Sequence, residues 1–230
     1  MTRRPLLLAA GTLMAALAAA HAIRPAGSEA EAGATASPSP ASTATSATAS
    51  RPVLAPGAEV KLLAGGFRFT EGPAADAEGN VYFTDIRPNR ILKWSPGQGV
   101  TVFRKPADGA NGLAVDASGN VLACEADTGR VAAIAPDGKV TVLAAQYEGK
   151  RFNEPNDLWI DPAGGVYFTD PVYGRNIELV QDGECVYYIS PDRRKVTLVA
   201  DDLVRPNGVV GTPDGKRIDR IDLAGGTANV

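Results

Sequence analysis

The stretch EGPAADAEGNVYFTD, Glu71–Asp85, returns 85 residues later as NDLWIDPAGGVYFTD, Asn156–Asp170. Between the two copies NGLAVDASGNVLACE runs from Asn111 to Glu125, and after them NGVVGTPDGK runs from Asn207 to Lys216. The openings Glu71, Asn111, Asn156 and Asn207 are 40, 45 and 51 residues apart. Self-similarity at such a period marks an array in which each repeat is one supersecondary unit.

Helical and strand repeats share this period, so the local pattern decides between them. After Asn111 come GLAVD, NVLACE, GRVAAI and KVTVLA, with turns at Ala117-Ser118-Gly119 and Pro136-Asp137-Gly138. These are short, apolar, β-branched-rich runs bounded by Gly, Pro and Asp, and none carries a helical 3.6 period. The first repeat follows suit with NVYFTD, RILKW, a Ser95-Pro96-Gly97 turn and VTVFR. Four antiparallel strands in a repeat of this length make a propeller blade. A β-sandwich has no reason to repeat its turns in register. The expectation is an all-β fold of the six-bladed β-propeller type, with about four blades present. The first strand of each blade lines the central channel, so the four openings should converge on one axis.

Composition narrows the chemistry. The formal charge is −3, and loss of Arg3 and Arg4 with a leader makes it −5, which offers no footprint for nucleic acid. The single histidine, His21, lies in the leader. Without it the chain has no imidazole, which excludes Ser-His-Asp and Cys-His catalysis and histidine-ligated metal sites. Two cysteines, Cys124 and Cys185, are too few for a thiolate metal site, and both read as small buried hydrophobes in different blades, their pairing left open.

Residues 1–22 read as a signal peptide: arginines at positions 3 and 4, an apolar run from Leu6 to Ala20, and Ala20-His21-Ala22 for cleavage. The run is shorter than the roughly 20 residues of a spanning helix. TRRPLLL fits either a twin-arginine or an ordinary Sec leader. The expected location is periplasmic or secreted, with no membrane contact once the leader is cleaved. Residues 23–57, rich in Ala, Ser, Thr and Pro, read as a disordered linker, because they hold too little apolar surface to offset the entropy of ordering. Residues 58–230 are the propeller.

Taken singly, Asn-Gly and Asn-Asp at strand starts are explained as turn residues. Glu71 is not, since a turn at T-E-G-P needs no carboxylate and a lone buried one is costly. One carboxylate among several carboxamides is an all-oxygen donor set, which suits a hard cation such as Ca²⁺.

The motifs F-x-E-G-P, N-x-P-N-D-L, Y-F-T-D-P and R-P-N-G-V-V resemble the SMP-30/gluconolactonase/luciferin-regenerating family of propellers over roughly Ala58–Lys216. The resemblance implies one divalent cation, usually Ca²⁺, held by Glu71, Asn156 and Asn207. It places Asn111 at a channel position that is not a direct ligand, and Asn153 at the mouth; both are carried forward as substrate-binding candidates. It implies hydrolysis of a small-molecule lactone, the cation polarising the ring carbonyl and activating water while a carboxylate takes the proton.

The sequence departs from that pattern in two respects. The family's fourth ligand, an Asp that doubles as general base, has no counterpart, so the catalytic residue is unknown; Asp214 is explained by its Pro-Asp-Gly turn. Six blades need about 250 residues, whereas Ala58–Val230 provides 173. Glu59–Leu63 is expected as a strand completing a last blade, and the charged run after Lys216 is not expected to continue the fourth blade. The alternative reading is a non-catalytic binding propeller or a fragment lacking the general base.

Overall fold

The computed structural model describes Ala55, residues 57–173, 178–222 and 228–229. The expected leader and nearly all of the linker lie outside these residues. Among the described residues every regular element is a strand, and no helix is long and apolar enough to cross a membrane.

Blade I holds β1 (Thr70–Ala75), β2 (Val81–Asp85), β3 (Arg90–Ser95) and β4 (Gly99–Arg104), antiparallel in that order. Blade II repeats it with β5 (Ala110–Val115), β6 (Val121–Glu125), β7 (Arg130–Ile134) and β8 (Val140–Ala144). A two-stranded hairpin, β9 (Gln146–Tyr147) and β10 (Lys150–Arg151), leads to blade III. That blade holds β11 (Leu158–Ile160), β12 (Val166–Asp170), β13 (Cys185–Ile189) and β14 (Val196–Ala200). Blade IV is three-stranded, with β15 (Pro206–Gly211), β16 (Ile218–Asp222) and β17 (Ala228–Asn229). The first strands β1, β5, β11 and β15 contact one another in sequence, as the inner strands of a β-propeller do.

The repeated phrase encodes repeated bonds. Asp76 Oδ1 accepts the N–H of Glu78 and Asn80 at 3.1 and 2.8 Å, and its Oδ2 accepts Asn80 Nδ2 at 2.7 Å. Asp116 makes the same three bonds with Ser118 and Asn120. These Asx turns fix the first hairpin of each blade. In blade III the Asn position is Gly165, and the Tyr188 hydroxyl donates to Asp161 Oδ2 at 2.8 Å in its place.

Thr84 and Thr169, the threonines of the two Phe-Thr-Asp copies, are fully buried. Each donates to the main chain of the next blade, Thr84 to Asn111 O at 3.0 Å and Thr169 to Asn207 O at 3.3 Å. Apolar faces close between the blades. Phe152, Phe168 and Tyr187 pack with centroids 4.9–5.4 Å apart, Phe152 edge-on to Phe168, inside a cluster that also holds Leu122, Val131 and Ile189.

Three expectations about the chain meet the structure here. Residues 59–63 form no strand, and Val60 and Leu62 are exposed, because among the described residues there is no last blade for them to complete. The charged run after Lys216 does continue blade IV: β16 pairs with β15 from Gly211↔Ile218 to Pro206↔Asp222. Backbone pairing and the Pro213-Asp214-Gly215 turn decide that strand, and no further sheet lies beyond blade IV among the described residues. Cys124 and Cys185 are both free, and they share the cluster between blades II and III.

Candidate active site at the channel

Three of the four inner strands open with a slip in pairing, and β11 pairs with β12 in continuous register. Pairing slips between Glu71 and Ala74 in β1, between Ala110 and Leu113 in β5, and between Pro206 and Gly208 in β15. Such bulges re-aim side chains at the rim of a sheet. Glu71, Asn111 and Asn207 sit at these slips, and Asn156 lies two residues ahead of β11.

The glycine after the opening residue lets the next blade approach. Gly72 has φ +53°, and a Cβ there would lie 2.2 Å from Asn111 O. Gly112 N donates to Asn156 O at 2.7 Å, and a Cβ on Gly112 would lie 2.6 Å from Asp157 Oδ1. Asp157 Oδ2 in turn accepts Val209 N at 3.2 Å in β15. The segments bearing the openings are thus linked in the order Glu71, Asn111, Asn156, Asn207, the first two links through the main chain and the third through the Asp157 carboxylate.

Glu71 is half-buried, and burial raises its carboxyl above the usual range against the lowering effect of the Gly72 N–H. Among the described residues no Lys or Arg pairs with it, and no side-chain donor reaches the carboxamide Oδ1 of Asn111, Asn156 or Asn207. Asp157 is pushed up to about 6, first by burial, with the Glu71 charge adding to it and the Val209 and Leu158 N–H groups opposing. One uncompensated carboxylate beside uncommitted carboxamide oxygens fits a hard divalent cation by the chemistry of its donors.

Tyr173 completes the group. Asn207 Nδ2 donates to its hydroxyl at 2.8 Å, and the hydroxyl donates to Pro206 O at 3.4 Å. Burial pushes the phenol up to about 12, with Glu184, Asp157 and Glu71 adding to the shift and the Asn207 bond opposing it. Neither Asp157 nor Tyr173 stood out in sequence, although Asp157 is the Asp of P-N-D-L and Tyr173 lies two residues beyond Y-F-T-D-P.

Asn153 is a correction. Instead of standing at the mouth, it is 1 % exposed and its amide is fully committed. Nδ2 donates to Asp170 O at 3.2 Å and Gly183 O at 3.0 Å, while Oδ1 accepts Val180 N and Gln181 N at 2.8 and 3.0 Å. Two donors and two lone pairs are an amide's whole capacity, so none is left for a substrate.

The acids ending the second strands differ in their partners. Asp85 pairs with Arg90 across the strands at 2.8 Å, and Glu125 bonds with both Arg104 and Arg130. Asp170 faces Cys185 instead. Its Oδ2 accepts Asn153 N at 2.8 Å, and its Oδ1 is buried without a partner. Burial pushes this carboxyl up to about 7, against the N–H groups of Asn153 and Glu154 and the Arg151 charge, with Glu154 adding to the rise. A separate cavity of about 360 Å³, lined by Asp116, Lys139 and Arg193, touches none of the four openings.

The family model described as the SMP-30/gluconolactonase/LRE-like region matches residues 69–223. A gluconolactonase of Zymomonas mobilis is 31% identical over 179 residues, covering 69% of this chain and 50% of its own length. The lactonohydrolase oryL of Aspergillus oryzae is 38% identical over 90 residues, 37% of this chain and 21% of its own. A solved gluconolactonase from Xanthomonas campestris superposes with a TM-score of 0.65 at 30% identity, over 68% of this chain and 55% of that one. The chain therefore spans half the length, or less, of the curated relatives it matches. With its repeats, its inner-strand openings and a family match over most of the folded part, the chain belongs to the SMP-30/gluconolactonase/LRE-like family.

Proposed function

We propose that this chain is an exported, metal-dependent lactone hydrolase. The observation that carries the reading is Glu71: a half-buried carboxylate without a cationic partner among the described residues, on the first of a row of linked strand openings whose carboxamide Oδ1 atoms are uncommitted. Glu71, Asn156 and Asn207 would hold one divalent cation, Ca²⁺ by the hardness of their oxygens, and Asn111 would contact the lactone beside them. When bound, the cation polarises the ring carbonyl and makes water a better nucleophile.

Asp157 is the carboxylate left in the channel to take the proton of the attacking water. It does so at Oδ1, since Oδ2 already accepts Val209 N. Water adds to the carbonyl carbon, the ring C–O bond breaks, and the proton passes to the departing alkoxide to give the open hydroxy acid. No step needs an imidazole, in keeping with a folded region that has none. The similarity to gluconolactonases supports a sugar lactone as substrate, and the leader-like residues 1–22 support export.

The test is a pH-stat assay of the chain lacking residues 1–22 on a panel of sugar lactones, in EDTA and then in millimolar Ca²⁺. Turnover that needs the metal and vanishes in Glu71→Gln is expected. Metal-independent hydrolysis, or none in either condition, sinks the proposal. Ca²⁺-dependent thermal stabilisation without turnover would identify instead a non-catalytic binding propeller, the reading favoured by the missing family Asp.

A further inference from the structure

We propose that Tyr173 is a positioning residue that fixes which end of the Asn207 carboxamide faces the channel, so that Oδ1 is offered to the cation. The inference rests on the cation-binding reading above. An amide is nearly symmetric in shape, yet only its oxygen ligates a hard cation; a half-turn about the terminal bond would present N–H donors instead.

The structure holds what is needed to block that half-turn. Asn207 Nδ2 donates to the Tyr173 hydroxyl at 2.8 Å. The hydroxyl's own proton goes to Pro206 O at 3.4 Å, so toward Asn207 it presents a lone pair. A flipped amide would set Oδ1 against an oxygen whose proton is already committed, two acceptors facing each other.

The ring is anchored relative to the strand it serves. Tyr173 N donates to Glu154 Oε2 at 3.2 Å and Val172 N donates to Glu184 Oε1 at 2.8 Å. The other Glu184 oxygen, Oε2, accepts Arg205 N at 3.0 Å, immediately ahead of β15. Glu184 thus ties the segment that bears Tyr173 to the start of the strand that bears Asn207.

Calorimetric titration of the chain with CaCl₂ separates this role from simple structural support. Tyr173→Phe keeps the ring and removes the acceptor, and is expected to weaken Ca²⁺ binding about three- to tenfold, the worth of one hydrogen bond. In Asn207→Asp both terminal atoms are oxygens and orientation no longer matters, so adding Tyr173→Phe to that variant should leave its affinity unchanged. Wild-type affinity in Tyr173→Phe, or the same loss in the Asn207→Asp background, overturns the positioning role and leaves the cation site standing. Absence of any Ca²⁺ binding that depends on Glu71 overturns the cation reading and this inference with it.

Discussion

Replacing Asp170 by Asn should remove a pH-dependent weakness from the fold. Asp170 is fully buried, keeps one oxygen without a partner, and faces Cys185 where Asp85 and Glu125 face arginines. Its carboxyl titrates near 7 in the fold, against about 3.9 in an unfolded chain. The raised value means that the native state holds a proton the unfolded state has already released. Stability is therefore unaffected below pH 4, falls as pH rises from about 4 to about 7, and stays low above that. Three units correspond to roughly 4 kcal/mol across the window. Asparagine matches the shape, still accepts Asn153 N and cannot ionise. Urea denaturation of wild type and Asp170→Asn at pH 4.5, 6 and 8 isolates this group, because every other titration is common to both proteins. The variant should exceed wild type by about 1 kcal/mol at pH 4.5 and by up to about 4 kcal/mol at pH 8. A stability difference that does not change with pH would falsify the argument that the orphaned carboxylate is a cost.

Two further outcomes follow from the contacts between blades. Gly79→Ala, at φ +81° with nothing within 4 Å, should cost only the left-handed backbone, about 1–2 kcal/mol. Gly72→Ala adds a 2.2 Å collision with Asn111 O and should cost about 3 kcal/mol or more beyond that; equal midpoints in urea would refute the close approach. Thr84→Val keeps shape but deletes the 3.0 Å bond to Asn111 O and should cost about 1–2 kcal/mol, whereas no change in melting would show that the bond does not couple blades I and II.

How much of this was legible in sequence depends on how local the cause is. The hairpins were readable because Asp76-to-Asn80 and Asp116-to-Asn120 form their turns within five residues. The inner openings were readable because they recur at one place in each repeat. Asn153 was misjudged because what consumes its amide is Val180, Gln181 and Gly183, about thirty residues away, and no local pattern announces that pairing. Tyr173 and Asp157 went unremarked for the same reason: one matters through Asn207, the other through Gly112 and Val209. The charges of β16 hide it in sequence, because the turn and the backbone pairing with β15 place it and its side chains do not.

The hydroxyl of Tyr188 on Asp161 carries a consequence for descent. Blades I and II close their first turn with an Asn amide, and blade III closes the same turn with a phenol reaching in from the neighbouring strand. A Cβ at Gly165 would lie 2.0 Å from that phenol oxygen, so the two solutions exclude each other in space. Gly165→Asn by itself collides with the ring, and loss of the Tyr188 hydroxyl by itself strips Asp161 of a donor. Across this lineage positions 165 and 188 should therefore drift as a couple, trading Asn for Gly only where a tyrosine arrives, and a repeat that has lost a letter will still have kept its bond.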